Sequence, residues 1–228
     1  MTDSATAPIL PARLAFRGPG IVVDGPARAA YGAVVVPTRR TILRPRYPLA
    51  TERLFLRPFR DDDLDALCVI EGDPATARYL YSAPRSRAEV RLSLARRKKM
   101  TTIEKQGDAI RLAIELREGG ALVGDVSLHY RSREHGQAEI GFVLHPAHHG
   151  HGYASEAVTL LIALGFESLG LHRIIGRCDP RNEPSARLME RVGMRREAYH
   201  RESEFIKGEW CDELVYAILA AEWPVPRR

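Results

Sequence analysis

Three runs of alternating apolar and polar residues, Ile110–Leu116, Ala121–Tyr130 and Gln137–Leu144, are joined by turns too short for anything but antiparallel neighbours. The turns are Glu118-Gly119-Gly120 and Glu134-His135-Gly136. After Leu144 the period of two stops. A loop with two glycines, 145–152, leads into a stretch from Tyr153 to about Leu169 whose apolar residues recur at helical spacing. A meander that hands over to a loop and a helix points to a sheet covered by helices, of the α/β or α+β kind, and away from a barrel or a helical bundle.

The flanking segments extend that reading. Leu54-Phe55-Leu56 is a short strand stopped by Pro58. Asp61-Asp62-Asp63 then offers a cap and first-turn negative charge to a helix whose apolar face holds Leu64, Leu67 and Cys68. A second helix is expected from Ser86 to about Ile103, with Arg96-Arg97-Lys98-Lys99 as a solvated basic run. Gly124 marks a bulge in its strand. Downstream, Arg173–Cys178 reads as a strand, Pro184–Val192 as a helix ended by Gly193, and Ala198–Ile206 and Asp212–Leu219 as a closing hairpin. The expected order is β α α β β β α β α β β.

This pattern starts at Thr51 and ends at Trp223, leaving residues 224–228 as a short tail. Residues 1–50 differ in kind. They hold seven of the fifteen prolines, which rules out a long helix there. They also hold seven arginines against two aspartates, so the net charge of +5 belongs to this extension and the rest of the chain is balanced. Its β-branched runs, Ile21-Val22-Val23 and Val34-Val35-Val36, could form edge strands or an arm. Scattered arginines between prolines attract acidic partners only weakly, and no nucleic-acid module accompanies them. No run approaches the ~20 apolar residues of a membrane span. The first residues lack a basic and then apolar leader, so the cytoplasm is the expected location. Cys68, Cys178 and Cys211 are too widely spaced for a metal knuckle and odd in number, which suits three free thiols.

The segment from Leu144 to Ala157 carries the chemistry. It joins a strand to a helix start through Gly150-His151-Gly152. The first turn of a helix has unpaired N–H groups and the positive end of the dipole, and glycines let backbone approach a phosphate. A Walker loop would need a Gly-Lys-Ser/Thr end that is missing, and a dinucleotide fingerprint would need a third Gly or Ala where Ser155 stands. His149-Gly150-His151-Gly152-Tyr153-Ala154 resembles the pyrophosphate loop of the GNAT acetyltransferases, written Gln/Arg-x-x-Gly-x-Gly/Ala, with His149 in the Gln/Arg place. Asn182-Glu-Pro-Ser185 through Gly193-Met194 resembles the same family's later motif. That form, with Thr51-Glu-Arg-Leu-Phe-Leu-Arg-Pro58, is most similar to the RimJ/RimL-like branch, which acetylates protein N-termini and related amines.

The resemblance implies a mostly antiparallel mixed sheet, splayed at the cofactor site, with helices on both faces. It implies acetyl-CoA as co-substrate, no metal, and an amine acceptor, either a small molecule or a peptide N-terminus, attacking directly in a ternary complex. The implied cofactor-binding residues are Val143 and Leu144 by backbone pairing, His149, Gly150, His151, Gly152, Tyr153 and Ala154 at the phosphates, and Asn182. An alkyl ammonium must lose a proton before it attacks, so a base is needed. Glu139, in Ala-Glu-Ile-Gly, is the expected base, since a carboxylate flanked by apolar strand neighbours suits the role. The family's usual tyrosine acid falls on Met189, which leaves Ser185 or a water. A catalytic Cys178 runs against the family's direct transfer. Four loop histidines, His145, His148, His149 and His151, do not converge as a zinc site would. A non-catalytic CoA-binding or interaction module, or an aminoglycoside or polyamine acetyltransferase, are the alternatives. The sequence leaves a homodimer open.

Overall fold

The computed structural model describes residues 42–223. The two β-branched runs of the extension and the C-terminal tail lie outside the described residues. In chain order the elements are β1 (Leu49–Ala50), β2 (Leu54–Arg57), α1 (Leu64–Gly72), α2 (Pro74–Ala77), α3 (Arg87–Arg97), β3 (Ala109–Leu116), β4 (Leu122–Ser132) and β5 (Gln137–Leu144). Then come α4 (Tyr153–Ala163), β6 (Arg173–Cys178), α5 (Glu183–Arg191), β7 (Arg195–Ile206) and β8 (Glu209–Leu219). The strands form one sheet in the order β1-β2-β3-β4-β5-β6-β8-β7. Every neighbouring pair is antiparallel except β5 and β6, which run parallel because α4 carries the chain back across the sheet.

The period of two sorts the residues between the faces. Leu112, Ile114, Val126, Leu128, Ile140 and Ile174 point to the side covered by α4 and α5, where they meet Val158, Leu161, Ile162 and Leu188. Ala113, Leu122 and Val143 point to the other side, where α1 and α3 contribute Leu67, Ile70, Val90 and Leu94. Helices therefore cover both faces, as the resemblance implies. The bulge falls where Gly124 marks it. Ile114 pairs with Gly124 and Glu115 with Leu122, which leaves Val123 as the extra residue.

Several local expectations are corrected. Residues before Thr51 already belong to the packed unit. Leu43 is buried and bridges Ile103, Tyr47 donates its hydroxyl to the Thr101 carbonyl at 2.8 Å, and β1 extends the sheet. The helix begun at Ser86 is shorter than expected. Ser86 and Glu89 form a capping box, and the helix ends at Arg97, so that Ile103 is free to bridge Leu43. The basic run is not wholly solvated. Arg97 falls on the same helix face as Val90, Ser93 and Leu94, and is buried against Glu71 and Asp125. Asp63 does not cap α1, because Arg57 holds its carboxylate at 2.7 and 2.8 Å. Among the described residues, no helix is long and apolar enough to cross a membrane.

Candidate active site

β5 and β6 pair only from Gln137–Arg173 to Ile140–Gly176. Beyond that point β6 stays with β8, through Cys178 and Leu214, while β5 stays with β4, through Leu144 and Gly124. The sheet is thus parted along the last turn of β5. A cavity of about 680 Å³ fills the opening. Phe142, Val143 and Leu144 form its wall on β5, residues 149–152 close one end, and α5 forms the opposite side.

The closing loop has the form the glycines predict. Gly150 and Gly152 take φ of 81° and 80°, the left-handed region that a side chain disfavours. Gly152 is the N-cap of α4 and offers no side chain to the helix start. The first backbone bond of α4 runs from the Glu156 N–H to the Gly152 carbonyl. The N–H groups of Tyr153, Ala154 and Ser155 find no backbone acceptor among the described residues. Open donors beside a cavity, at the positive end of a helix, fit a phosphate group.

The loop is braced from outside. Arg53 binds Glu156 at 2.8 Å and the His151 carbonyl at 3.0 Å, and lies over the Tyr153 ring. His149 donates from Nε2 to the Leu144 carbonyl at 3.3 Å, and His151 from Nδ1 to the His149 carbonyl at 2.8 Å. The two imidazoles are therefore spent on the shape of the loop. Among the described residues, no group of three or more His, Cys, Asp or Glu side chains is placed to hold a metal ion.

Of the residues expected at the site, Val143, Leu144, His149, Gly150, His151, Gly152, Ala154, Asn182 and Ser185 all line the cavity. Tyr153 does not, since its ring stacks on His151 and faces Arg53. Asn182 caps α5, accepting from the Ser185 N–H at 3.3 Å, and the Ser185 hydroxyl has no partner among the described residues. Met189 stands at the usual tyrosine position. It is buried, and its sulfur fills the space left by the missing side chain of Gly176.

Glu139 lies elsewhere. It does not line this cavity, and instead of apolar neighbours its carboxylate has Arg131 at 3.1 Å and Arg177 at 3.0 Å. Glu139, Arg177 and Glu213 rise from β5, β6 and β8 on the face away from α4. Arg177 also approaches Glu213 at 3.3 Å and Glu204 at 3.8 Å. A second cavity, of about 70 Å³, opens beside this cluster and is separated from the first by Tyr79 and Leu80, which line both. Burial, with Asp179 and Glu213, pushes the Cys178 thiol up to about 11. α3 does not line this second cavity, and Phe205 and Trp210 pack on each other at the exposed hairpin tip. Residues 78–81, after α2, line it instead, held where Lys207 donates to the Ala77 and Arg78 carbonyls at 2.7 and 2.9 Å.

A mostly antiparallel sheet parted over a loop-and-helix anion cradle defines an N-acetyltransferase domain of the GNAT type. The chain belongs to that family: residues 53–195 match the acetyltransferase (GNAT) domain. It is 34% identical over 175 residues to the uncharacterized N-acetyltransferase YnaD of Bacillus subtilis, covering 77% of this chain and 98% of that protein. A solved GNAT-family acetyltransferase from Bacillus anthracis superposes with a TM-score of 0.68 at 33% identity, over 76% of this chain and 99% of that one. The relatives also include the ribosomal protein uS5-alanine N-acetyltransferase of Escherichia coli, 29% identical over 84 residues, which are 37% of this chain and 43% of that protein. This agrees with the RimJ/RimL-like form of the motifs.

Proposed function

We propose that the chain moves an acetyl group from acetyl-CoA to a primary amine, by direct attack in a ternary complex. The observation that carries this reading is the parting of β5 from β6 over a cavity that ends at Gly150, Gly152 and the open N–H groups of α4. When bound, acetyl-CoA supplies an acetyl group activated as a thioester. The exposed backbone edge of Val143 and Leu144 pairs with the amides of its extended arm, as an added strand would. The N–H groups of α4 take the phosphates. Asn182 shapes the start of α5, and the Ser185 hydroxyl is the proton donor where tyrosine is missing. A thiol whose pKa is pushed up to about 11 is protonated at neutral pH, which disfavours an acetyl-cysteine route through Cys178.

The amine enters from the Tyr79–Tyr81 side. Glu204 lines that cavity and is the carboxylate least engaged by Arg177, at 3.8 Å against 3.0 Å for Glu139 and 3.3 Å for Glu213. We therefore assign the base to Glu204 and make Glu139 a positioning residue that holds Arg177. Four of the five carboxylates that line this cavity are paired, Glu204 and Glu213 with Arg177 and Asp179 and Glu209 with Arg181. A polycation would need acids left unmatched. A peptide N-terminus or a small monoamine fits better, and the kinship with a ribosomal-protein N-terminal acetyltransferase supports the same choice.

A thermal-shift titration tests the cofactor. Acetyl-CoA at a hundred times its Kd adds about 2.7 kcal/mol, on the order of 5–10 °C for a domain of this size. No shift at saturation would overturn the reading. Thiol release is then compared across N-terminal peptides, monoamines, polyamines and aminoglycosides. Binding without turnover on any of them gives instead a CoA-binding module, a reading that Met189 favours. Turnover of polycations alone overturns the peptide preference.

A further inference from the structure

Pyrophosphate carries negative charge that neutral donors satisfy only in part, and a guanidinium adds charge-assisted bonds. The position at which the family motif offers Gln or Arg is His149 in this chain. Its Nε2 is taken up by the Leu144 carbonyl, so that donor is not offered to the cradle. Arg53 is neutralised by Glu156 on the outside of the loop and does not line the cavity. The cationic side chains that do line it are Arg187 and Arg191, one turn apart on α5. Arg187 is paired with Glu183 at 2.7 Å. Arg191 has no carboxylate at ion-pair distance among the described residues. It reaches across the cleft instead, and its Nη1 donates to the Ser155 hydroxyl at 3.1 Å, in the first turn of α4. An uncommitted guanidinium therefore sits on the helix start whose N–H groups are open.

We infer that Arg191 supplies the cation of the pyrophosphate subsite in place of the residue that His149 displaces, and that Ser155 aims it. The inference rests on the acetyl-CoA reading. It moves the charge of the cofactor site from the loop to α5, and makes the closeness of α4 and α5 part of binding.

Calorimetric titration of the full chain with CoA, dephospho-CoA, inorganic pyrophosphate and pantetheine tests it. Arg191→Met weakens CoA, dephospho-CoA and pyrophosphate by about 10–100-fold, as loss of a charged hydrogen bond does, and leaves pantetheine unchanged. Arg191→Lys recovers part of the loss, and His149→Arg placed on the Arg191→Met chain recovers most of it. Undiminished CoA affinity in Arg191→Met would overturn the inference, as would a loss shared by pantetheine. A loss with CoA that vanishes with dephospho-CoA would also overturn it, because the 3′-phosphate would then be the partner. Wild-type protein that binds no CoA would instead remove the acetyl-CoA reading on which the inference stands. Arg191 is exposed, so the substitution leaves the core intact, and the pantetheine titration reports any wider damage.

Discussion

The side chains around Arg177 show how a residue's neighbours decide its use. A carboxylate held between two guanidinium groups is already engaged by charged donors. Glu139 is in that position, with Arg131 and Arg177 at 3.1 and 3.0 Å, whereas Glu204 faces a cavity. Glu204→Gln is therefore expected to lower turnover by about a hundredfold at neutral pH, with acetyl-CoA affinity unchanged. The deficit should shrink as pH rises, because the amine then deprotonates itself. Glu139→Gln should give a smaller loss of the same size at every pH, by releasing Arg177. A pH–rate profile of both variants checks this. A pH-dependent hundredfold loss in Glu139→Gln with Glu204→Gln unaffected would return the base to Glu139. The sequence could not separate the two, because Arg177 lies 38 residues from Glu139 and meets it only across the β5–β6 pair.

Elements were legible where period and punctuation agree. β3 to β5 alternate and end in glycine turns, so their antiparallel order follows from the sequence. The loop before α4 is legible for the same reason, and it contributes four of the nine expected residues that line the cavity, His149, Gly150, His151 and Gly152. α2 was not, since four residues, Pro-Ala-Thr-Ala, carry no periodicity, and Asp73 at its cap resembles any turn. Missing α2 hid Tyr79 and Tyr81, which line the second cavity. β1 was missed because its partner β2 gives no sign of it locally. Gly124 was marked as a bulge, but its tighter duty appears only in the fold. A side-chain carbon there would lie 2.2 Å from the Val143 carbonyl oxygen and 3.0 Å from Leu144 Cα. Backbone cannot yield as a side chain can, so Gly124→Ala must displace the end of β5. Such overpacking costs about 1–3 kcal/mol, and here it also moves the edge that lines the cavity. Melting should fall by several degrees and acetyl-CoA affinity should drop more than in a variant equally destabilised elsewhere. Equal loss in both would deny the link between the bulge and the site.

Across the whole molecule, buried charge ties together layers that the apolar cores leave separate. Asp125 on β4 is 2% exposed and meets Arg111 of β3 at 2.8 Å and Arg97 of α3 at 3.3 Å, while Arg97 also meets Glu71 of α1. Burial by itself would raise the Asp125 carboxyl, but the two guanidinium groups outweigh it and hold it below the ordinary range. Asp179 beside Arg181, and Glu156 beside Thr51 and Arg53, are likewise held down against burial. A carboxyl whose folded pKa lies below its unfolded value contributes stability that is fully present above the unfolded value. That contribution is lost as pH falls through the folded one. The unfolded values are about 4, so melting temperature should be level from neutral pH to about pH 5 and fall steeply below about pH 4. Asp125→Asn keeps the shape of the side chain and removes its charge, leaving the buried Arg97 and the half-buried Arg111 guanidinium groups facing an amide. Breaking a buried pair in this way costs about 3–5 kcal/mol, which for a domain of this size lowers melting by on the order of 10 °C at neutral pH. The variant should also lose less on acidification than the wild type, because the charge that acid would remove is already gone. Melts from pH 7 to pH 3 on both proteins check the two effects together. A variant that melts with the wild type at neutral pH, or that retains the full acid slope, would show that this network does not hold α1 and α3 to the sheet.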